Sequence, residues 1–308
     1  MQNYITKLRH ILPIFLLISL SIIIGLLIIR WIFTIEFEIF DFNEKIWNFW
    51  LPVLLPWIPI LIWLRPRFKI LILKNDHHEF FFQFLSAITI TACLINSQEY
   101  LTTATGKLQK LSTITDIEIT PKSRYYNLAN FSVATNFGGT YTSFSRSGRS
   151  NDLNFDIYFV VPIFDRKQTN INSLPKYWYG VSFHDRLRNA RNDEKNKRSY
   201  NEFYNYCLDR MKNYDFYSLD HFERTPTSDK KQNFIKAVEA RAQKKSENYV
   251  ILEPIKEKYE KRNGNKFQWI FGSFGIGFSI LLFTLIWPGF SATEMRKFKT
   301  NKGHKKLF

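Results

Sequence analysis

The hydrophobic positions of this chain follow two regimes: continuous apolar runs towards both ends, and a polar middle in which apolar residues alternate or recur at helical spacing. From Ile11 to Ile29 the sequence ILPIFLLISLSIIIGLLII carries no charge and is long enough to cross a hydrocarbon core as a helix. Lys7 and Arg9 precede it as they would a signal peptide. The run is long, however, and no small-x-small cleavage site follows, so a retained anchor is expected.

A second uncharged run, Ile46 to Leu64, contains Pro52, Pro56 and Pro59 and four tryptophans: Trp47, Trp50, Trp57 and Trp63. Prolines break a soluble helix. In a membrane they are tolerated where neighbouring helices satisfy the freed carbonyls, so a kinked, packed span is predicted. The third run, Phe80 to Asn96, is short and diluted by Gln83, Ser86, Thr89 and Thr91, and its hydropathy alone leaves a span and an interfacial helix both open. The fourth, Phe267 to Trp287, is again free of charge.

Charge decides the third run. Lys7 and Arg9 precede the first span, Arg65, Arg67, Lys69 and Lys74 follow the second, and Arg296, Lys297, Lys299, Lys302, Lys305 and Lys306 follow the fourth. By the positive-inside rule all three segments are cytoplasmic. The loop between the first two spans holds Glu36, Glu38, Asp41 and Glu44 and reads as an outside loop. A chain that is inside at Lys74 and inside again at Arg296 crosses an even number of times between them, so the third run must cross if the fourth does. The expected organisation is three spans within residues 1–96 (11–29, 46–64 and 80–96), an extracytoplasmic domain over 97–266, a fourth span at 267–287 and a basic cytoplasmic tail over 288–308. Both termini would then lie on the cytoplasmic side of a bacterial inner membrane.

The middle segment is long enough to fold by itself. Leu108, Leu111, Ile114, Ile117 and Ile119 suggest a short helix passing into an alternating strand. Phe131 to Phe137 and Thr140 to Ser145 flank Gly138-Gly139, which predicts a two-residue hairpin turn. DIYFVVPIF (Asp156 to Phe164) and YWYGVSFH (Tyr177 to His184) read as strands against a core, with further strands near Phe216 to Phe222 and Tyr249 to Ile255. Amphipathic helices are expected between Leu187 and Asn213 and from Asp229 to Lys245. The fold class is thus an α-helical membrane protein with an inserted α+β domain, an antiparallel sheet plus two helices.

A net charge of +16 with 17% aromatic residues is the sum of these two regimes. The basic tail follows a cytoplasmic helix end, so anionic lipid headgroups are the expected partner, with Arg65, Arg67, Lys69, Arg296, Lys297 and Lys299 at the membrane surface, and nucleic acid is not expected. Gly272, Gly275 and Gly277 offer a close-packing face on the fourth span; the bland alternative is that glycine is simply common in membrane helices. Cys93 and Cys207 fall in different environments, and no disulfide is expected. Asp76-His77-His78-Glu79 reads as a solvated turn rather than a metal site, because ligands must converge. His184 beside Asp185 reads as a strand-end pair. No nucleophile elbow, P-loop, H-E-x-x-H or dinucleotide fingerprint occurs, and neither a cofactor nor a catalytic residue is expected.

WLRPRFKIL, QEYLTTATGKLQKL, YFVVPIFD, YWYGVSFHDR and EKYEKRNGNKFQWIFGSFGIG resemble the amino-terminal, non-catalytic region of rhomboid-family intramembrane serine proteases of Bacteroidetes-type bacteria. The resemblance implies a segment upstream of a protease core. The family's G-x-S-G serine and membrane histidine are absent: Gly272-Ser273-Phe274-Gly275 has its serine misplaced, and Ser145-Arg146-Ser147-Gly148 lacks the first glycine and lies in the polar domain. A serine without a base is a poor nucleophile. The expected function is an accessory region that binds or presents envelope proteins, partnered with a rhomboid core or a membrane-protein substrate. The alternative is a stand-alone envelope sensor or scaffold whose outer domain binds a ligand. Reporter fusions test the topology: those after Asn43 and within Ser150 to Asp152 are expected to read extracytoplasmic, and those after Lys74 and Lys302 cytoplasmic.

Overall fold

A computed structural model of the chain describes residues 2–37, 39–40, 42–73, 76–147, 152–165, 175–187, 189, 193–245 and 248–297. The chain divides into two compact units, Met1–Thr105 with Asn263–Phe308 (unit 1) and Gly106–Arg262 (unit 2). Unit 1 contains the helices α1 (Gln2–Arg30), α2 (Ile46–Phe68, broken), α3 (Asp76–Ala104) and α6 (Lys266–Thr284), with short strands β1 (Leu71–Ile72) and β10 (Gly289–Phe290). Unit 2 contains β2 (Leu108–Leu111), β3 (Tyr125–Leu128), β4 (Ser132–Val133), β5 (Gly139–Ser147), β6 (Asp152–Phe164) and β7 (Tyr177–Leu187). It continues through α4 (Asp193–Lys212), β8 (His221–Arg224), α5 (Asp229–Ala242) and β9 (Val250–Ile255).

Four helices are long and apolar enough to cross a membrane. Their shared core includes Ile11, Phe15, Ile60, Leu64, Phe68, Ile90, Leu94, Leu281 and Leu285. Leu17, Leu54, Trp63, Phe271 and Trp287 remain exposed on the outside, an apolar surface that a unit surrounded by water rarely presents. The prolines break α2 as expected, leaving wide π-type turns at Ile46–Trp50 and Ile60–Leu64. Pro56 has no N–H to give the carbonyl of Pro52, and the Thr91 hydroxyl of α3 donates to that oxygen instead, at 3.0 Å.

The weakly hydropathic third run lies within a 29-residue helix. Most of its hydroxyls are satisfied by the segment itself: Ser86, Thr89, Ser97, Thr102 and Thr105 each donate to the carbonyl four residues back, at 2.6–2.8 Å. The helix continues past Asn96 to Ala104, and unit 2 begins at Gly106, later than the expected start at residue 97.

Unit 2 is built on an eight-stranded sheet in the order β2-β3-β8-β9-β7-β6, with β4 and β5 both pairing with β6. Most pairings are antiparallel, as expected, but β2–β3 and β7–β9 are parallel. β5 pairs with β6 as far as Val160 and β4 takes over at Ile163; Pro162, which has no N–H to offer a ladder, sits in between. Successive residues of β6 face opposite ways. Tyr158 and Val160 pack with Phe234, Ala237 and Val238 of α5, while Ile157 and Phe159 pack with Cys207 of α4. Helices therefore cover both faces of the sheet.

Three local expectations are corrected. Gly138-Gly139 does not turn a hairpin: Gly138 has an extended φ of −75°, and β5 pairs with β6 rather than with the preceding segment. The glycine at 139 instead admits α5, since a Cβ there would lie 2.2 Å from the carbonyl oxygen of Ala237. Residues 108–119 form a strand followed by a helical turn, Asp116–Ile119, in the reverse of the expected order, because β2 is drawn into the sheet beside β3. The strand expected near Phe216 to Phe222 begins at His221, where pairing with β9 becomes available.

Of the three glycines expected to pack, Gly277 meets its neighbour most closely: a Cβ there would lie 2.4–2.8 Å from the side chain of Thr89 on α3. Gly272 has only the Trp269 ring near it, at 3.6 Å, and Gly275 faces open space. Gly277→Leu is therefore expected to cost about 1–3 kcal/mol through overpacking and to lower the thermal melting midpoint in detergent, while Gly275→Leu leaves it unchanged.

Candidate functional site

The helices of unit 1 alternate in direction, so their ends collect at two poles. At one pole α1 begins, α2 ends, α3 begins and α6 ends. Here Lys7 is buried and its ammonium caps the last carbonyls of α6, donating to Leu285 at 2.6 Å and Pro288 at 2.8 Å. Tyr4 donates to Leu282 O at 3.0 Å, and Arg67 to His10 O at 2.9 Å. Leu71 of β1 pairs with Phe290 of β10. Arg65 bonds Glu79 at 3.1 Å, so Glu79 of the Asp76-His77-His78-Glu79 run is held in an ion pair. Lys69 and Arg296 are exposed, and Lys297 pairs with Glu294 at 2.8 Å. Lys74 and Lys299 lie outside the described residues. Five of the six basic residues singled out in the sequence thus lie on the segments that gather at this pole.

At the opposite pole α1 ends and α2 begins, and the chain leaves unit 1 after α3 and returns before α6; the Tyr100 and Phe267 rings meet there at a tilt, with centroids 5.2 Å apart. A buried polar cluster joins three helices. Arg30, 3% exposed, donates to Asn48 Oδ1 at 2.7 Å and to both oxygens of Gln98 at 3.1 Å, and lies over the Trp47 ring at 5.8 Å. No sequence pattern identified this cluster. Arg30 reads as a flank of the first span, and Asn48 and Gln98 lie far from it in sequence. Of the acidic residues between the first two spans, Glu38 and Asp41 lie outside the described residues.

Unit 2 closes on a second polar cluster where its chain ends. Asp220 Oδ2 accepts from His221 Nδ1 at 2.9 Å and from the backbone N–H of Tyr259 at 3.1 Å, and the Tyr259 hydroxyl donates to Gly106 O at 2.6 Å. His221 is buried edge-on to the Tyr125 and Tyr259 rings, and Arg262 stacks on Tyr259 at 3.9 Å. The hydrogen bond from His221 holds the Asp220 carboxyl below its ordinary value. His184 bonds Asp156 across the β6–β7 ladder at 2.8 Å rather than its neighbour Asp185, which accepts from Arg186 N.

Both cysteines are buried free thiols, Cys93 in unit 1 and Cys207 in unit 2; burial, followed by the charge of Asp185, pushes Cys207 up to about 11. Such a thiol is a poor nucleophile. Ser273 bonds Ile270 O at 3.3 Å and Asn96 Nδ2 at 3.4 Å, and Ser145 accepts from Asn154 at 3.5 Å. Gly148 of the second serine string lies outside the described residues.

A carboxyl depressed in the folded state adds stability above its unfolded value of about 3.9 and loses it as pH falls. The Asp220 clasp is therefore expected to weaken on acidification below about pH 4. Hydrogen-exchange protection at the Tyr259 amide should fall there, and Asp220→Ala should lower it at neutral pH as well. No family model matches this chain, and no curated protein and no solved structure matches it.

Proposed function

We propose that this chain is a membrane-anchored accessory module: unit 1 spans the inner membrane with its basic pole in the cytoplasm, and unit 2 stands outside as a domain that binds envelope proteins. The observation that carries the reading is the polarity of unit 1. Lys7, Arg65, Arg67 and Lys69 lie at one pole, and both connections to unit 2 leave from the other. Short basic flanks stay where the protein is made, and anionic headgroups add about 1 kcal/mol for each lysine or arginine near the surface. The resemblance of WLRPRFKIL and EKYEKRNGNKFQWIFGSFGIG to the amino-terminal region of rhomboid proteases supports an accessory role beside a rhomboid core, in which unit 2 presents a protein to that core.

The buried Arg30–Asn48–Gln98 cluster favours a second reading, a sensor. The Arg30 guanidinium ties three helices into one hydrogen-bonded unit, and because an ionisable side chain inside such a bundle is costly, its presence points to a functional role.

Position 144 gives a direct test, since Phe144 is 71% exposed on β5 and both native cysteines are buried. Phe144→Cys is expected to react with a membrane-impermeant maleimide in intact spheroplasts and to be protected in inverted vesicles; the reverse pattern would refute the orientation. The purified chain is also expected to take up no fluorophosphonate, and stoichiometric serine labelling would refute the accessory role.

A further inference from the structure

β5 runs for nine residues along β6 and is paired on that side only, among the described residues. In an antiparallel ladder alternate residues turn their N–H and C=O groups away from the partner strand, so the free edge presents a row of unmet donors and acceptors. Exposed edges of this length are commonly blunted by proline, by a bulge or by a covering element. β5 contains no proline, and its register with β6 runs unbroken from Gly139↔Val160 to Ser147↔Asp152. The opposite edge of the sheet, β2, is only four residues long.

The side chains along this edge define its complement. Arg241 lies against Gly139 and stacks on Phe137 at 4.5 Å, and Lys236 lies over Tyr141 at 4.9 Å; Arg146 is exposed near the end of the strand. No acidic residue occurs between Gly139 and Ser147. The carboxylates of the neighbouring strand are engaged from its other side, Asp156 by His184 and Asp152 by Arg186, both on β7. Phe144 stands exposed between the polar residues, a large apolar anchor of the kind that dominates interface energetics. The edge is hydrogen-bonding, basic and centred on one aromatic ring.

We propose that the outer edge of β5 receives an extended, acidic polypeptide segment as an added strand. The proposal rests on the reading of unit 2 as the binding part of the chain and names its partner chemistry. Main-chain hydrogen bonds supply the affinity. Alternate side chains supply the selection, with carboxylates on the α5 face of the added strand meeting Lys236 and Arg241, and apolar residues on its other face meeting Phe144.

The test uses the full chain in nanodiscs and a fluorescent nine-residue peptide of alternating valine and glutamate, with binding read by anisotropy. Two control peptides replace glutamate by lysine or carry N-methyl groups at every second residue. The glutamate peptide is expected to bind, and both controls to bind at least about tenfold more weakly. The double variant Lys236→Glu with Arg241→Glu, both at exposed positions of α5, should reverse the preference between glutamate and lysine peptides, and Phe144→Ala should weaken binding about tenfold. Equal binding of the N-methylated peptide, an unchanged charge preference or no binding of any peptide would overturn the proposal. So would a concentration-dependent dimer that Phe144→Glu abolishes, which would assign the edge to a second copy of this chain. Anisotropy in nanodiscs does not depend on which side of the membrane unit 2 occupies. A failure here therefore leaves the topology standing, and a failed maleimide experiment leaves the edge assignment standing.

Discussion

Internal satisfaction of polar groups is the constraint on which unit 1 depends. A hydroxyl or a freed carbonyl buried among apolar groups has no water to turn to, so leaving it without a partner inside the bundle is costly. α3 meets this by back-bonding its serines and threonines onto its own carbonyls, and α2 by borrowing the Thr91 hydroxyl where Pro56 leaves Pro52 O without a donor. The two solutions depend on each other. The threonine that completes α2 belongs to the helix of modest hydropathy, α3, and Gly277 lets α6 close on that same helix at Thr89.

Unit 2 meets the opposite constraint. Its sheet is covered on both faces, so the β6 strand reads as a nearly unbroken apolar run through FVVPI rather than as strict alternation, and the large buried residues Trp178, Tyr179, Phe222 and Phe234 divide between two cores. The polar groups are pushed to the margins, to the Asp220 clasp and to the β5 edge. Burial raises the Tyr177 phenol to about 12, and it raises that of Tyr179 as well, with help from Tyr214, so these rings act as neutral packing groups at any ordinary pH.

The elements legible in the sequence were those whose pattern is local. The apolar runs marked all four long helices, β6 and β7 showed in their aromatic and β-branched composition, and the spacing of Phe234, Val238 and Ala242 marked α5. What escaped depended on distant partners. Gly138-Gly139 carries a strong turn signal, but the physical demand at 139 comes from Ala237, almost a hundred positions on. The parallel placement of β2 beside β3 follows from the sheet as a whole, since four residues hold too little pattern to announce it. The basic pole could be read from lysines and arginines near helix ends, whereas the Arg30 cluster could not, because Asn48 and Gln98 are unremarkable until three helices bring them together.

The Tyr259–Gly106 hydrogen bond joins the two places where the chain passes between units. A domain fastened at its own neck is a closed loop of chain, entered and left at one point. The first and last stretches of unit 2 are thereby sealed to each other, and the chain between them, sheet included, forms a ring closed within one unit.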